Sequence, residues 1–495
     1  MRRAINGLAL AAVLVAAPVG ALDLPGTAGK VDVGGWVDGS AVVDTAGGPY
    51  EGPWARVLLE ADGDLGHGLG FGLQLLGQAG GPYHGPTTGF YDFADAFEND
   101  SPSLQVDEAY LGWQLPDADL RAGLQLFAWG KLDGVPPTDV LNPRSYHDPI
   151  VSDTEERKIG VPAISGTYYA PLPAEGALSR LEVQLVYVPI AVPPRLALER
   201  ERWFPSSAVG AGRITRADLR AAGIPPEAYD SGVPIDLRTE SNAPARTLEN
   251  GAIAVRVGGT WRGADWDAYY YGGPETNPDA RLTATAFPGP NDTFRVESTL
   301  EQEHDTIHMF GGDAAFVLGP VSVRAEAAYF MDRPYLRPGK DVLDAAVSAE
   351  TLGKVRNGIM RHGYRRVALE PVFVDLDAVE WGIGADMVWE GFRPLVQLSQ
   401  VVPVEQAPPL LIGDPDTRIT ALVRKPIWQE RVELEARTVY SIESGGWFAL
   451  PRVSWVPRDD LRLRVGYLAV GGHRESLIGQ FKDNDEVVFD MRWTF

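Results

Sequence analysis

From residue 30 onward the chain alternates between apolar and polar residues, and this period of two limits its fold more than any other feature. In VDVGGWVDGSAVV, which starts at residue 31, Val31, Val37 and Val43 share one face. Asp32 and Asp38 share the other face, and the final residues EVVFDMRWTF repeat the pattern. Successive side chains of a β-strand point to opposite faces, so each such strand has one apolar and one polar face. The sequence therefore predicts an all-β protein.

The spacing of the tryptophans favours a membrane barrel over a water-soluble sandwich. Pairs of tryptophans lie eight residues apart on the apolar faces of WGIGADMVW and WFALPRVSW. Eight strand residues cover roughly 26 Å at about 3.3 Å each, close to the height of the apolar band of an outer-membrane barrel, whose rims carry aromatic girdles. The C-terminal aromatic residue resembles the terminal signal of such barrels, which implies contact with the barrel-assembly machinery. The predicted membrane girdle consists of Trp381, Trp389, Trp447, Trp455 and Phe495.

The alternating segments can be counted as about 18 strands, with 16 left open. Short connections such as RGA and LGP alternate with long ones, which predicts short periplasmic turns and long external loops, with both chain ends in the periplasm. The predicted fold is thus a transmembrane antiparallel β-barrel, formed by residues 22–495 as a single domain. The longest external loops are expected at 190–250 and 332–372. The strand-like stretch DTFRVESTL would break the alternation of connections, so it is interpreted as a loop or a strand extension.

The first 21 residues have the three parts of a secretory signal peptide. Two arginines follow Met1, LALAAVLVAA forms an apolar core of ten residues, and VGA supplies the small residues of a cleavage site. The apolar core is too short to anchor the chain in a bilayer. Residues 1–21 are therefore expected to be cleaved. The mature chain is expected in the outer membrane of a Gram-negative cell, surrounded by outer-membrane lipid.

Charge and composition exclude several classes of function. The formal charge is −23, and −25 without the two N-terminal arginines, which argues against nucleic acid because binding it needs a basic face. The chain has no cysteine, and its seven histidines show no spacing typical of a catalytic or zinc site. No G-x-S-x-G motif is present. We therefore expect no enzyme activity, no catalytic residue, no bound metal and no cofactor.

A barrel of this size is too wide for side chains to fill, so its lumen holds an aqueous channel or a plug. Charged residues on the polar faces are expected to point inward, because an Arg or Lys facing lipid costs about 2–4 kcal/mol near the midplane. Such charges either select permeant solutes or merely hydrate the lumen, and both interpretations stay open. The candidates on the later strands are Arg437, Arg452, Arg462, Arg464, Arg492, Glu380, Asp386, Glu433 and Glu435. Earlier strands add Arg56, Glu108, Arg121, Glu182, Arg324 and Glu326.

The connection after the fifth predicted strand is unusually long, polar and rich in proline. We expect that strand to end at Trp129 and Gly130, and the connection to cover residues 130–162. Prolines restrict φ and the Asn-Pro pair is a turn former, so the connection suits an ordered path. In position it resembles the third external loop of general porins, which narrows the barrel from inside; an external lid is the alternative. The constriction candidates are Lys131, Asp133, Asp139, Asn142, Arg144 and Asp148.

The same stretch, FAWGKLDGVPPTDVLNP, resembles a family of uncharacterised proteobacterial outer-membrane barrels. The matching residues are Trp129 and Gly130 at the end of a strand, and Asn142 and Pro143 soon after it. This resemblance implies envelope transport, of lipids or other apolar solutes. We therefore expect a porin-like outer-membrane channel for passive or facilitated passage of small or apolar solutes. The alternative is a barrel scaffold for a periplasmic protein partner, either an electron-transfer sheath or the outer-membrane component of lipid or efflux transport.

Overall fold

Eighteen antiparallel strands form one closed barrel in the computed structural model. The first strand closes it by pairing with the second strand on one side and the last strand on the other. The described residues are 22–23, 30–47, 52–80, 103–134, 136–173, 176–195, 197, 202–204, 235–241, 247–276, 279–288, 294–338, 365–368 and 373–495. The barrel strands are β1 (Lys30–Asp44), β2 (Trp54–Gly66), β3 (Leu69–Gly80), β4 (Ser103–Leu115), β5 (Ala118–Gln125), β6 (Val161–Tyr169), β7 (Leu178–Val188), β8 (Ala252–Trp261), β9 (Ala264–Pro274), β10 (Thr306–Leu318), β11 (Val321–Leu336), β12 (Phe373–Met387), β13 (Arg393–Pro403), β14 (Asp416–Ile427), β15 (Val432–Ser441), β16 (Trp447–Arg458), β17 (Leu461–Gly471) and β18 (Glu486–Thr494). A short strand, Leu22–Asp23, pairs with β1.

The prediction of an eighteen-stranded all-β barrel is confirmed. Each predicted strand corresponds to one barrel strand, with ends that differ by a few residues. One difference bears on function, because β5 ends at Gln125 and not at Trp129. The predicted signal peptide lies outside the described residues. Three short 3₁₀ turns, Glu155–Arg157, Leu248–Asn250 and Gly479–Phe481, are found in the described ranges, where no helix is long and apolar enough to cross a membrane.

The two ends of the barrel differ in their connections. At one end, called here the turn end, connections are as short as the two residues between β8 and β9. At the other end, called the loop end, lie the long connections that follow β5, β7, β9 and β11. The predicted alternation of short and long connections therefore agrees with the strand order. That the turn end faces the periplasm stays a prediction.

Three of the loop-end connections contribute to a second, four-stranded sheet. Its strands, in spatial order, are Arg365–Ala368, Asp279–Pro288, Phe294–Glu303 and Ile235–Ser241. Most of DTFRVESTL, interpreted from the sequence as a loop or a strand extension, belongs to the third of these strands. Its strand-like pattern thus reflects pairing within this separate sheet and not a place in the barrel wall.

Large apolar side chains cover the outer face of the barrel. Leu111, Ile164, Leu185, Ile253 and Phe310 are each between 51 % and 64 % exposed. An exposed apolar surface spread over so many strands is unfavourable in water and suits a surrounding of hydrocarbon. The fold is therefore that of a transmembrane β-barrel.

The tryptophans of the predicted girdle lie on or beside this outer face. Trp447 begins β16 at the loop end, and Trp455 lies on the same strand near the turn end. Both are exposed, as is Trp389 in a turn-end connection. Trp381 and Phe495 are partly exposed. The pair on β16 thus lies near the two ends of the outer face, and its role in a membrane girdle stays a prediction.

Toward the loop end, parts of the inner wall are apolar. Ile307, Met309 and Phe330 are 0 % exposed and pack against the chain that follows β5. Leu450 and Leu468 lie in a second buried cluster on the inner wall. Near the loop end several strands are therefore apolar on both faces, which the simple rule of one apolar face did not predict. The reason is that the inner face there packs against inserted chain and not against water.

Candidate functional site

The chain leaves the barrel wall after β5 and returns to it at the start of β6, and residues 126–160 are called here the inserted segment. Asn142 replaces the strand pairing that is lost at this point. Its Oδ1 accepts a hydrogen bond from the backbone nitrogen of Phe127 at 2.7 Å. Its Nδ2 donates to the carbonyl oxygens of Gln125 and Ile159 at 3.1 and 2.9 Å. Because one side chain holds both ends of the segment, the strand ends before the predicted Trp129.

The tip of the inserted segment wraps around one carboxylate of β11, that of Glu326. This carboxylate accepts hydrogen bonds from the backbone nitrogens of Lys131 at 2.9 Å, Leu132 at 3.3 Å and Thr138 at 2.8 Å. The Thr138 hydroxyl donates a fourth, at 2.7 Å. Glu326 is only 3 % exposed, and these four donors compensate for the loss of its hydration. We call these contacts the tip anchor.

Lys131 adds ion pairs to the tip anchor. Its ammonium group contacts the carboxylates of both Asp267 on β9 and Asp313 on β10. Tyr269 donates to Asp313 at 2.5 Å, and Arg256 donates to Asp267 at 2.8 Å. Both aspartates are buried, so these partners replace the hydration that the two carboxylates lose.

Asp133 extends the tip anchor to β12, through Arg324, and to β13. Its carboxylate accepts a hydrogen bond from Arg324 of β11 at 2.6 Å. Its backbone nitrogen donates to the side chain of Gln397 on β13 at 3.1 Å. Arg324 also pairs with Asp386 of β12. The tip of the inserted segment thus contacts the continuous row of strands from β9 to β13, directly or through a wall arginine.

The later part of the inserted segment contacts a different part of the wall. Arg437 of β15 and Arg452 of β16 donate to the carbonyl oxygens of Ile150 and Val151. The side chains of Ile150 and Val151 lie in the same buried apolar cluster as Leu450. This region is therefore held by arginine donors and by apolar burial together.

Glu156 completes this second set of contacts, which we call the far anchor (residues 150–156 with their wall partners). Its carboxylate accepts hydrogen bonds from Arg492 of β18 at 2.6 Å and from Arg56 of β2 at 3.1 Å. The same two arginines donate to Asp38 of β1 at 2.7 and 2.9 Å. Both guanidinium groups also lie over the ring of Trp36. The far anchor thus draws on strands β1, β2, β15, β16 and β18.

The positions of the two anchors require the inserted segment to cross the lumen. Glu326 lies on the eleventh strand and Arg56 on the second strand of a closed ring of eighteen, so they stand on opposite sides of the barrel. A chain that contacts the inner faces of opposite strands must cover the space between them. The inserted segment therefore divides the lumen.

A part of the long connection after β7 lies against the inserted segment. The backbone of Arg195 accepts a hydrogen bond from Tyr146 at 2.7 Å and donates one to Arg144 at 3.1 Å. A few residues later, Arg202 is buried and pairs with Glu486 of β18 at 2.9 Å. This stretch, from the loop predicted at 190–250, links the inserted segment to the wall near the far anchor.

The predicted constriction residues fall into two groups. Lys131 and Asp133 contact the barrel wall, as described above. The other four are each at most 8 % exposed and hold the segment together: Asp139, Asn142, Arg144 and Asp148. Asp139 pairs with Lys158 at 2.9 Å and with Arg144. Burial raises the pKa of Asp139, although both cations act to lower it.

The nine predicted lumen charges of the later strands lie on the face opposite the exposed apolar residues. Among those that pair, Arg464 lies 3.6 Å from Asp490 and Glu380 lies 2.8 Å from Arg333. Within the part of the chain that the structure describes, Arg462 makes no ion pair. Whether these charges select solutes stays a prediction. The set is Arg437, Arg452, Arg462, Arg464, Arg492, Glu380, Asp386, Glu433 and Glu435.

Several residues of the tip anchor were missed in the sequence. Asp267, Asp313 and Gln397 contact the inserted segment and were not among the candidates. The signal was present for the two aspartates, because each interrupts an apolar strand at an inward position of the alternation. In the described ranges, no group of three His, Cys, Asp or Glu side chains is arranged to hold a metal ion.

Three solved outer-membrane proteins illustrate what this chain is similar to. The match to OmpF of Salmonella typhi, in complex with daunomycin, covers 96 % of this chain and 100 % of the OmpF chain, with 10 % identity and a TM-score of 0.42. OccAB4 of Acinetobacter baumannii covers 94 % and 98 %, with 9 % identity and a TM-score of 0.45. Wzi of Escherichia coli, a carbohydrate-binding barrel involved in group 1 capsule assembly, covers 93 % and 84 %, with 10 % identity and a TM-score of 0.44. No curated protein matches the chain.

A family model matches the chain over residues 80–450. The match starts at the end of β3 and continues into β16, so it includes the whole inserted segment and every strand of the tip anchor. The family is described as proteins of unknown function. The chain belongs to this family, DUF1302.

Proposed function

We propose that the protein is a solute channel of the outer membrane in which the inserted segment narrows the passage. The observation that carries the proposal is the attachment of residues 126–160 to opposite sides of the barrel, by Glu326 at one side and by Arg56 and Arg492 at the other. A segment held at both sides leaves a passage smaller than the cross-section of the barrel. An eighteen-stranded barrel without such a segment would leave a wide aqueous pore.

The inner wall near the turn end supports passage of small water-soluble solutes. Charged side chains there keep exposed surface, with 47 % of the Arg424 side chain exposed next to its partner Glu435. Arg462 on β17 is exposed as well. Charged groups that keep contact with water hydrate a pore and create the field that acts on permeant solutes. This half of the lumen therefore suits polar solutes better than apolar ones.

Single-channel recording in planar bilayers tests this proposal. We expect the purified chain to give stepwise ohmic openings. Deletion of residues 132–149 should raise the single-channel conductance, because it removes both the tip and the chain that leads to the far anchor. A correctly inserted deletion variant with the conductance of the parent would contradict the assigned constriction. A folded, inserted parent that never conducts would contradict the channel itself.

A matched deletion separates loss of the constriction from general loop damage. The hairpin formed by Asp279–Pro288 and Phe294–Glu303 belongs to the separate four-stranded sheet. Shortening this hairpin by a similar number of residues should leave the conductance unchanged. An equal rise in both deletions would assign the effect to loosened loops and not to the inserted segment.

A further inference from the structure

A polar cavity of about 230 Å³ lies between the start of the inserted segment and the inner faces of β5 to β8. It is lined by Asp119 and Arg121 of β5, Glu182 of β7 and Arg256 of β8, together with the chain at residues 126–129. Since one water molecule takes about 30 Å³ of the liquid, the cavity has room for a small solute. Two cationic and two anionic side chains face the same space.

The cation of this cavity that is available to a solute is Arg121. Its guanidinium group lies 4.8 Å from the ring centre of Tyr110, and within the described ranges it makes no ion pair. Arg256, by contrast, pairs with Glu182 at 3.2 Å and with Asp267 at 2.8 Å. Arg121 is also exposed toward the lumen, so an anionic group can approach it.

The anions of the cavity keep acceptor capacity. Asp119 accepts one hydrogen bond from the Tyr169 hydroxyl, at 2.9 Å. A carboxylate has about four acceptor positions on its two oxygens, so Asp119 can accept from a further donor. Asp119 and Arg121 are two residues apart on one strand and therefore share a face, with backbones roughly 7 Å apart at about 3.3 Å per residue.

We propose that this cavity binds a small zwitterion of the α-amino acid class, with the carboxylate of the solute on Arg121 and its ammonium group on Asp119. A simple anion would be repelled by the negative charges of Asp119 and Glu182. A simple cation would be repelled by the positive charge of Arg121. A zwitterion satisfies both signs at once, which is why the paired arrangement favours it. This inference deepens the proposed channel function, since it names the solute class, but binding itself does not require conduction.

Calorimetry on the detergent-purified full chain tests the proposal, with L-glutamine, acetate and propane-1,2-diol as probes. We expect glutamine to bind, and acetate and the diol to bind at least roughly tenfold more weakly. Arg121→Gln should weaken glutamine binding by roughly tenfold or more, because it removes a charge-assisted hydrogen bond. Arg121→Lys should retain most of the binding. Arg431→Gln, which removes an exposed arginine from a turn-end connection, should leave it unchanged.

Equal binding of glutamine and the diol would overturn the proposal, as would undiminished binding in Arg121→Gln. Recordings on the same preparation separate this inference from the channel function. Conduction without any glutamine binding would contradict the zwitterion site but not the channel function. Glutamine binding to a barrel that never conducts would contradict the channel function but not the zwitterion site.

Discussion

The barrel wall binds the backbone of the inserted segment by opposite chemistry at the two anchors. At the tip anchor one wall carboxylate, Glu326, accepts four hydrogen bonds from the segment. At the far anchor four wall arginines, Arg437, Arg452, Arg56 and Arg492, donate to the segment. The hydrogen bonds to Glu326 are concentrated on one side chain, whereas those of the four arginines are distributed over four strands. The tip should therefore be sensitive to a single substitution, and the far end should not.

The type of backbone group at each anchor adds to this difference. The tip offers backbone N–H groups, each of which can make one good hydrogen bond and is costly to leave buried without a partner. The far anchor offers the carbonyl oxygens of Ile150 and Val151, which have two lone pairs each and can accept from a replacement donor or water. Loss of the wall partner should thus lower the stability of the bound segment more at the tip than at the far end.

The largest effect is expected from Glu326→Ala. It leaves three backbone N–H groups and one hydroxyl without an acceptor, at about 1–3 kcal/mol for each buried group. We expect the tip to leave the wall, the single-channel conductance to rise toward that of the deletion variant, and trypsin to cut at Lys131. Glu60→Ala provides the control, because Glu60 is an exposed glutamate of β2 that bonds to Gln74. Unchanged conductance with Lys131 still protected would show that the contacts of Lys131 and Asp133 hold the tip without Glu326, and would contradict the central role given to that carboxylate.

A smaller effect is expected from Lys131→Met. The change leaves Asp267 and Asp313 without the lysine, and breaking a buried pair costs about 3–5 kcal/mol, an upper limit because Lys131 retains some solvent contact. The hydrogen bonds to Glu326 remain, so the tip should loosen and not leave the wall. Thermal unfolding measures the loss of stability. Adding Asp267→Asn should restore part of it, and a further loss in the double variant would contradict the ion-pair account.

The alternation of the sequence was sufficient to predict the barrel but not the path of the inserted segment. Period two assigned Glu326 and Arg324 to the inner face, because each strand in a membrane must separate lipid-facing from lumen-facing residues. It could not identify Glu326 as the centre of the tip, since its four donors come from residues about 190 positions earlier in the chain. Long-range partners leave no local pattern in a single sequence.

The sequence also did not predict that part of the inner face near the loop end is apolar. Ile307, Met309 and Phe330 are as apolar as lipid-facing residues, yet they are buried inside the barrel against the inserted segment. Apolar character alone does not distinguish burial in lipid from burial against another chain segment, because both remove the side chain from water. The early end of β5 has a similar cause, since the Asn142 side chain replaces strand pairing at that point.

Weak single effects are expected at the far anchor. Arg437→Gln or Arg452→Gln alone should barely raise trypsin cleavage within the segment, since the other arginine and the apolar packing of Ile150 remain. The double variant should raise cleavage by more than the sum of the two single effects, because neighbouring contacts that share one task are not additive. Limited proteolysis of the three variants measures this. A large effect of either single substitution would remove the contrast between the anchors.

The smallest effect on the segment is expected from Arg462→Ala combined with Arg464→Ala. These arginines lie on β17, between two strands of the far anchor, but no hydrogen bond joins them to the inserted segment in the described ranges. Protease resistance and conductance should therefore stay near the parent values. The reversal potential in a KCl gradient should shift toward cation selectivity, because two positive charges are lost and Asp490 loses its partner Arg464.

Arg431→Ala combined with Arg458→Ala is the control for this double change. Both arginines are exposed near the turn end and pair with Asp459 and Asp460. These two substitutions remove as much positive charge as the pair on β17. They should nevertheless leave the reversal potential unchanged if permeant ions sense β17 from inside the lumen. An equal shift in both double variants would mean that ions respond to overall charge at the turn end. No shift in either would mean that the charges of β17 only hydrate the wall, and that selectivity arises at the inserted segment.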